Sequence, residues 1–294
     1  MAGILAPTVV DGTLYGLSYV LIALGFTLLF GVSRLLNLAY GALYMVTAYM
    51  IYYLAVDQGV ALLAAVGIAI LIAVAVGVLA FLFCARFAPD PMRFLIVSLL
   101  VALLLQYIFE YPPLFGGETG LEIPGLVSGQ EFLVYGVAVF PAYVVVAGLA
   151  IGLLVLLWAW VEWTEYGRTV RATAEDPETA TLFGIRPRSI YLVVVVVSSA
   201  LVAIAAAIIV PTGEVNPGMW VEPFIIAFVV ALIGGLGKFK WTLPAAFLLS
   251  FPQAAVGAAY PAYVELSDIV AFAIAIVFII VLPGGIGGIR HESA

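Results

Sequence analysis

Apolar runs long enough to cross a bilayer recur from one end of the chain to the other. They fall at about 8–33, 35–56, 60–85, 93–111, 132–161, 190–211, 223–237, 241–263 and 267–283. A helix rises about 1.5 Å per residue, so roughly 20 apolar residues cross a hydrocarbon layer of about 30 Å. Inside that layer no water bonds to the backbone, and a helix satisfies its own N–H and C=O groups. Composition points the same way. Hydrophobic residues make up 66% of the 294, against 10 Lys and Arg and 17 Asp and Glu. A soluble enzyme of this size cannot cover its surface with so little charge. The expected fold is an all-α, polytopic transmembrane helix bundle of about nine spans (eight to ten), with broken helices. It is read as a single transmembrane domain over 1–294.

The basic residues test this layout. Arg34 follows the first run. Arg86 and Arg93 lie between the third and fourth. Arg168, Arg171, Arg186 and Arg188 lie between the fifth and sixth, Lys238 and Lys240 between the seventh and eighth, and Arg290 after the ninth. With nine crossings every one of them sits on one face. The positive-inside rule makes that face the cytoplasm, with the N-terminus outside and the C-terminus inside. The opposite loops carry Asp57, Glu118, Glu122, Glu131, Glu214 and Glu265 and no Lys or Arg. A re-entrant first pair of segments, or one long broken helix, fits the same charges and brings Arg34 nearer mid-membrane.

Other classes are excluded by what is scarce. Cys84 is the single cysteine, so no internal disulfide forms. His291, the single histidine, stands in the polar tail, far from any intramembrane base or zinc site. A net charge of −7 offers no surface for nucleic acid. No cleavable signal peptide is expected, because no basic region precedes the first run.

Helix boundaries are marked locally. Asp90-Pro91, Glu222-Pro223 and Leu243-Pro244 place Pro near a first turn, where its missing N–H costs little. Ser189 is the expected cap of the sixth span, and Pro141 and Pro252 fall inside spans as candidate kinks. Residues 23–45 and 227–249 echo one another. Each runs from an apolar helix through a Gly break and a basic residue into a second helix, which makes Gly234, Gly235 and Gly237 candidate hinges. Asn37, Gln106 and Gln253 are polar groups in or near spans. They either line a pathway or hydrogen-bond between helices.

Residues 162–189 form the one long hydrophilic stretch. Gly167 to Ala174 predicts a short helix. Asp176 predicts the cap of a second, with Pro177 at its first position, Glu178 in its first turn, and Gly184 to end it. Ala180, Leu182 and Phe183 give that second helix a small apolar face. A short helix fixed against the membrane can receive a displacement from a soluble partner, which a floppy connector cannot.

The stretch Arg171–Ile185, RATAEDPETATLFGI, resembles the cytoplasmic coupling loop of ABC-importer permeases. It is most similar to the branched-chain amino-acid (LivH/LivM) type, on the LivH-like side. The Asn37-x-Ala39-x-Gly41 run, Gly234-Gly235-Leu236-Gly237 and the terminal Pro283-Gly284-Gly285 resemble the same family. Tyr40, and Lys238 to Trp241, depart from its usual residues. The resemblance implies a permease subunit of an ATP-driven importer in the cell membrane. It works by alternating access and binds no cofactor itself. ATP and Mg belong to two cytoplasmic ATP-binding subunits, solute comes from an external binding protein, and a second permease subunit completes the pathway. It also implies an ATPase-coupling loop made of Arg171, Ala174, Glu175, Asp176, Pro177, Ala180, Leu182, Phe183 and Gly184. Within that loop Leu182 and Phe183 would enter an apolar groove, while Arg171, Glu175 and Asp176 would set orientation. Asn37, Tyr40, Gly41, Gln106 and Gln253 are the candidate pathway residues. The chain has no Walker A motif around Gly237-Lys238, because Leu232 and Phe239 occupy the positions that need Gly and Ser or Thr. It is therefore not expected to be an enzyme. Branched-chain amino acids are the expected solute. Urea or short amides, or a stand-alone pore for a neutral solute, are the alternatives.

Overall fold

A computed structural model of the chain describes residues 2–88, 90–111, 121, 123, 132–134, 137–139, 141–212, 215–235, 237–260, 265–281 and 285–286. Glu118, Glu122, Glu131, Glu214, Leu236, Pro283, Gly284, Arg290 and His291 lie outside these residues.

Within them the chain is a succession of helices: α1 (Ala2–Ser33), α2 (Ala39–Tyr52), α3 (Leu62–Phe87), α4 (Pro91–Glu110), α5 (Pro141–Trp163), α6 (Glu165–Glu175), α7 (Pro177–Leu182), α8 (Pro187–Ile209), α9 (Val221–Gly234), α10 (Thr242–Ala259) and α11 (Glu265–Val281). A π-turn, Tyr53–Asp57, extends α2, and a 3-10 turn, Phe239–Trp241, precedes α10. Seven helical segments among the described residues are long and apolar enough to cross a membrane. The chain is a multi-pass membrane protein of all-α class. The seventh and ninth apolar runs also form helices, but α9 has 14 residues and α11 has 17. At about 1.5 Å per residue, α9 reaches roughly 21 Å, short of the hydrocarbon thickness.

Three local expectations change. The fifth run does not start as helix. Phe132–Val134 pairs antiparallel with Val137–Val139, and the helix opens at Pro141, so that Pro begins α5 instead of kinking it. A β-branched apolar run carries no helical start signal before the Pro. Ser189 is not a cap. α8 begins two residues earlier, with Pro187 at N1, where its fixed φ suits the first turn. Pro252 does lie inside α10. Asp90 caps α4, its carboxylate accepting from the Arg93 amide at 3.0 Å, with Pro91 in the first turn as the sequence predicts.

The chain divides into two compact units. The first comprises Leu28–Leu126 and Ala159–Ile225. Here α3 lies against α2 and α8. Ala65, Ala69, Ala73 and Gly77 recur every fourth residue on its buried side. Lipid tails are as apolar as Leu, so helices in a bilayer associate by close packing rather than by the hydrophobic effect. A Cβ added at Gly77 would stand 2.9 Å from Leu43 and closer still to the Ser199 hydroxyl. Leu63, Leu71 and Leu79 face outward and are exposed.

The second unit comprises Met1–Thr27, Val127–Trp158 and Ile226–Ala294. α1 packs on α10 through glycine. A Cβ at Gly12 or Gly16 would collide with the rings of Phe251 and Phe247. Ser250 donates to the Gly12 carbonyl at 2.7 Å, and Tyr19 donates to Gln253 Oε1 at 2.6 Å. These bonds hold the two helices in one register.

Candidate functional site

The loop between α5 and α8 folds as two short helices joined by tight elbows. At the first elbow Thr164 serves both sides. Its hydroxyl donates to the Trp160 carbonyl at 2.6 Å and accepts from the Gly167 amide at 3.0 Å, capping α6. Gly167 is buried here against the end of α5. A Cβ on it would lie 2.6 Å from the Val161 carbonyl carbon, and nearer to the Val161 and Trp160 oxygens. Arg171 then reaches back one helical turn further on. Its guanidinium donates to the Val161 carbonyl and pairs with Glu162 at 3.5 Å. The last carbonyls of a helix have no backbone partner and carry the negative end of its dipole, so a cation suits that place. Arg171 thus ties α6 to the end of α5.

The second elbow is Asp176. Its amide closes α6 on the Ala172 carbonyl at 3.2 Å. Its carboxylate accepts from the Thr179 hydroxyl, from the Thr179 amide at 3.2 Å and from the Glu178 amide at 2.9 Å. The Thr179 hydroxyl above all, then these amides, hold the Asp176 carboxyl below the usual carboxylate range. A lowered carboxyl pKa contributes stability that is present above its unfolded value and lost as pH falls through the folded one. Hydrogen exchange at Glu178 and Thr179 checks this. Both amides are expected to stay protected down to about pH 4, the ordinary Asp value, and to open below it. In Asp176→Ala they are expected to exchange freely at every pH. Protection that survives that substitution would rule out the cap.

α7 ends as its sequence predicts. Gly184 has φ +81°, its amide donates to the Thr181 carbonyl at 3.0 Å, and the Ile185 amide donates to the Ala180 carbonyl at 3.2 Å. These two bonds form a Schellman closure. The apolar face divides. Ala180 is buried, whereas Leu182 is 85% and Phe183 81% exposed, next to each other at the tip. Glu175 is also exposed.

One anchor comes from far away. After α1 the backbone turns at Arg34, which has φ +54°. Its guanidinium donates to the carbonyl of Ala174, in the last turn of α6, at 3.1 Å. Neither this bond nor the role of Thr164 is legible from composition or spacing.

A family model described as "Branched-chain amino acid transport system / permease component" matches residues 8–281. The chain belongs to this family. Two relatives are high-affinity branched-chain amino acid transport system permease proteins named LivH. The one from Escherichia coli is 28% identical and that from Salmonella typhimurium 27%; each match covers 95% of this chain and 94% of the relative. A third, the permease protein BraD of Pseudomonas aeruginosa, is 27% identical with the same coverage. No solved structure matches the chain. Membership makes the chain a transport component, one part of a multi-subunit system, rather than an enzyme.

The other candidate residues of this permease are placed as follows. Asn37 is buried in the break between α1 and α2, and its Oδ1 accepts from the Ala39 amide at 3.1 Å. The Leu38 amide donates to Ser98 Oγ at 3.1 Å, and Leu35 to Ser33 Oγ at 3.3 Å. Three amides of the break are thus paired with side chains of the protein. Tyr40 is fully buried. Gly41 permits close approach, since a Cβ there would stand 2.7 Å from Phe224 and 3.0 Å from the Trp220 carbonyl. Gln106 accepts from the Trp220 indole N–H at 2.8 Å and donates to Glu110 at 2.7 Å. Gln253, in the second unit, is the partner of Tyr19 described above. Gly235 and Gly237 have φ +91° and +82°, values that non-glycine residues rarely adopt, and Gly234 packs against the Trp241 carbonyl. Among the described residues, no group of three or more His, Cys, Asp or Glu gathers to hold a metal.

Proposed function

We propose that this permease is a membrane-spanning subunit of an ATP-driven importer of branched-chain amino acids, and that α7 is its docking helix for the ATP-binding subunits. The observation that carries the reading is the tip of α7. Two large apolar side chains stand exposed on a helix capped at both ends, beyond two elbows held by side-chain bonds. Such a tip suits a groove on a soluble partner and can deliver a displacement. The relatives named for branched-chain amino acid transport supply the solute class. A positive-inside reading of the basic residues supports a cytoplasmic loop and an N-terminus outside.

In this reading two cytoplasmic subunits carry ATP and Mg, and an external binding protein delivers solute. A second permease subunit completes the pathway. Closure of the ATP-binding subunits moves α7, the attached α5 and α8 rock, and the pathway changes the side it faces. Asn37, Tyr40, Gly41 and Gln106, all in the first unit, flank that pathway, and Gly234, Gly235 and Gly237 give α9 its hinge.

Reconstitution in liposomes tests the whole reading. The chain, its partner permease, the ATP-binding subunits and the binding protein are expected to accumulate radiolabelled leucine only with ATP. Accumulation of urea and not of leucine would move the solute to short amides. Leucine flux through this chain alone, without ATP, would replace the importer by a pore.

A further inference from the structure

The docking loop is covalently joined to α5 and α8. The Arg34 side chain also ties it to the break between α1 and α2. The backbone at this bond leaves the acceptor open. In a continuing helix the Ala174 carbonyl would receive the amide of Glu178, four residues on. That amide is instead taken by the Asp176 carboxylate, at 2.9 Å, because α7 starts there in a new direction. The carbonyl at the joint of α6 and α7 is therefore free for Arg34, which donates to it at 3.1 Å across 140 residues of sequence. A helix C-terminus favours a cation at that place.

The other end of the link is also fixed. Arg34 is the one described non-glycine residue with positive φ, and its amide still closes α1 on the Phe30 carbonyl at 2.8 Å. Past it, Leu35, Leu38 and Ala39 are held by Ser33, Ser98 and Asn37. A rigid break on one side and a rigid joint on the other are bridged by one guanidinium. We infer that Arg34 is a positioning residue, a latch that passes the displacement of α7 into the α1–α2 break. This rests on the docking reading above.

Arg34→Gly is the informative variant. Glycine adopts φ +54° without strain, so the break keeps its shape while the latch is removed. In the reconstituted importer, leucine carried per ATP hydrolysed is expected to fall roughly tenfold, with the ATP-binding subunits still attached. Arg34→Lys keeps a cationic donor and is expected to recover much of that ratio. An unchanged ratio in Arg34→Gly would overturn the latch. So would a Lys variant no better than Gly, or loss of the ATP-binding subunits from Arg34→Gly, which would make the residue part of docking itself. A wild-type complex that never holds the ATP-binding subunits would instead bring down the docking reading, and the latch with it.

Discussion

Phe183→Asp is expected to strip the ATP-binding subunits from the purified complex and to abolish ATP-driven leucine uptake. The ring is 81% exposed and contributes little to the fold of α7. Its apolar area leaves water only when a partner covers it, which is worth about 2 kcal/mol for a Phe side chain. An Asp in the same groove loses that gain and adds an unpaired, partly desolvated carboxylate, at a further cost of about 2 kcal/mol or more. Together these weaken docking by roughly a thousandfold at 1.4 kcal/mol per decade. Circular dichroism and thermal unfolding of the permease by itself are expected to be unchanged. Retained co-purification with normal uptake would remove α7 as the docking element. Leu182→Asp is the companion variant, since its side chain stands beside Phe183.

Gly167→Ala is expected to damage transport more than its single added carbon suggests. The new Cβ would meet backbone on α5, with the Val161 carbonyl carbon at 2.6 Å, and backbone cannot turn away as a side-chain tip can. Overpacking of this kind costs on the order of 2 kcal/mol, relieved here by opening the elbow. The Thr164 cap and the Arg171 bond to Val161 then lose their geometry together, and α7 is carried away from its docking position. Leucine uptake is expected to fall tenfold or more by the same conversion. Gly148→Ala and Gly152→Ala, on α5 where nothing lies within 4 Å, are the controls. Alanine in a helix interior is favoured over glycine by roughly 0.5–1 kcal/mol, so these two should match or exceed the parent in stability. A Gly167 variant that behaves as they do would show that the elbow tolerates the atom.

Much of the loop was legible in the sequence because its signals are short-ranged. The cap at Asp176, the Pro at N1 and the positive φ of Gly184 depend on neighbours within a few residues, and each stands where the pattern puts it. The apolar runs gave the helices for the same reason. A span is defined by its own length and its own satisfied backbone. The bounds erred where two local signals competed. Phe132–Val134 pairs with Val137–Val139 as a ribbon, and Pro187 rather than Ser189 opens α8.

The partition of α7 was not legible. Ala180, Leu182 and Phe183 read as one apolar face, yet only Ala180 turns inward, because the direction of a two-turn helix is set by the elbows that hold it. The amides Asn37, Gln106 and Gln253 announced only that each needs a partner. Which one each finds (the Ala39 amide, Trp220 with Glu110, Tyr19) depends on which helices lie side by side. Arg34 is the clearest case. By sequence it is one loop cation among others on its face. Its target is a carbonyl left open by Asp176, which no pattern of residue types encodes. Residue patterns were enough for the membrane class, most of the helices and the cap at Asp176, since those follow from energies local to a segment. The tertiary structure alone decided the close approach at Gly167, the outward tip of α7 and the reach of Arg34 to Ala174. Each of these depends on the distance between segments that packing, not sequence proximity, brings together.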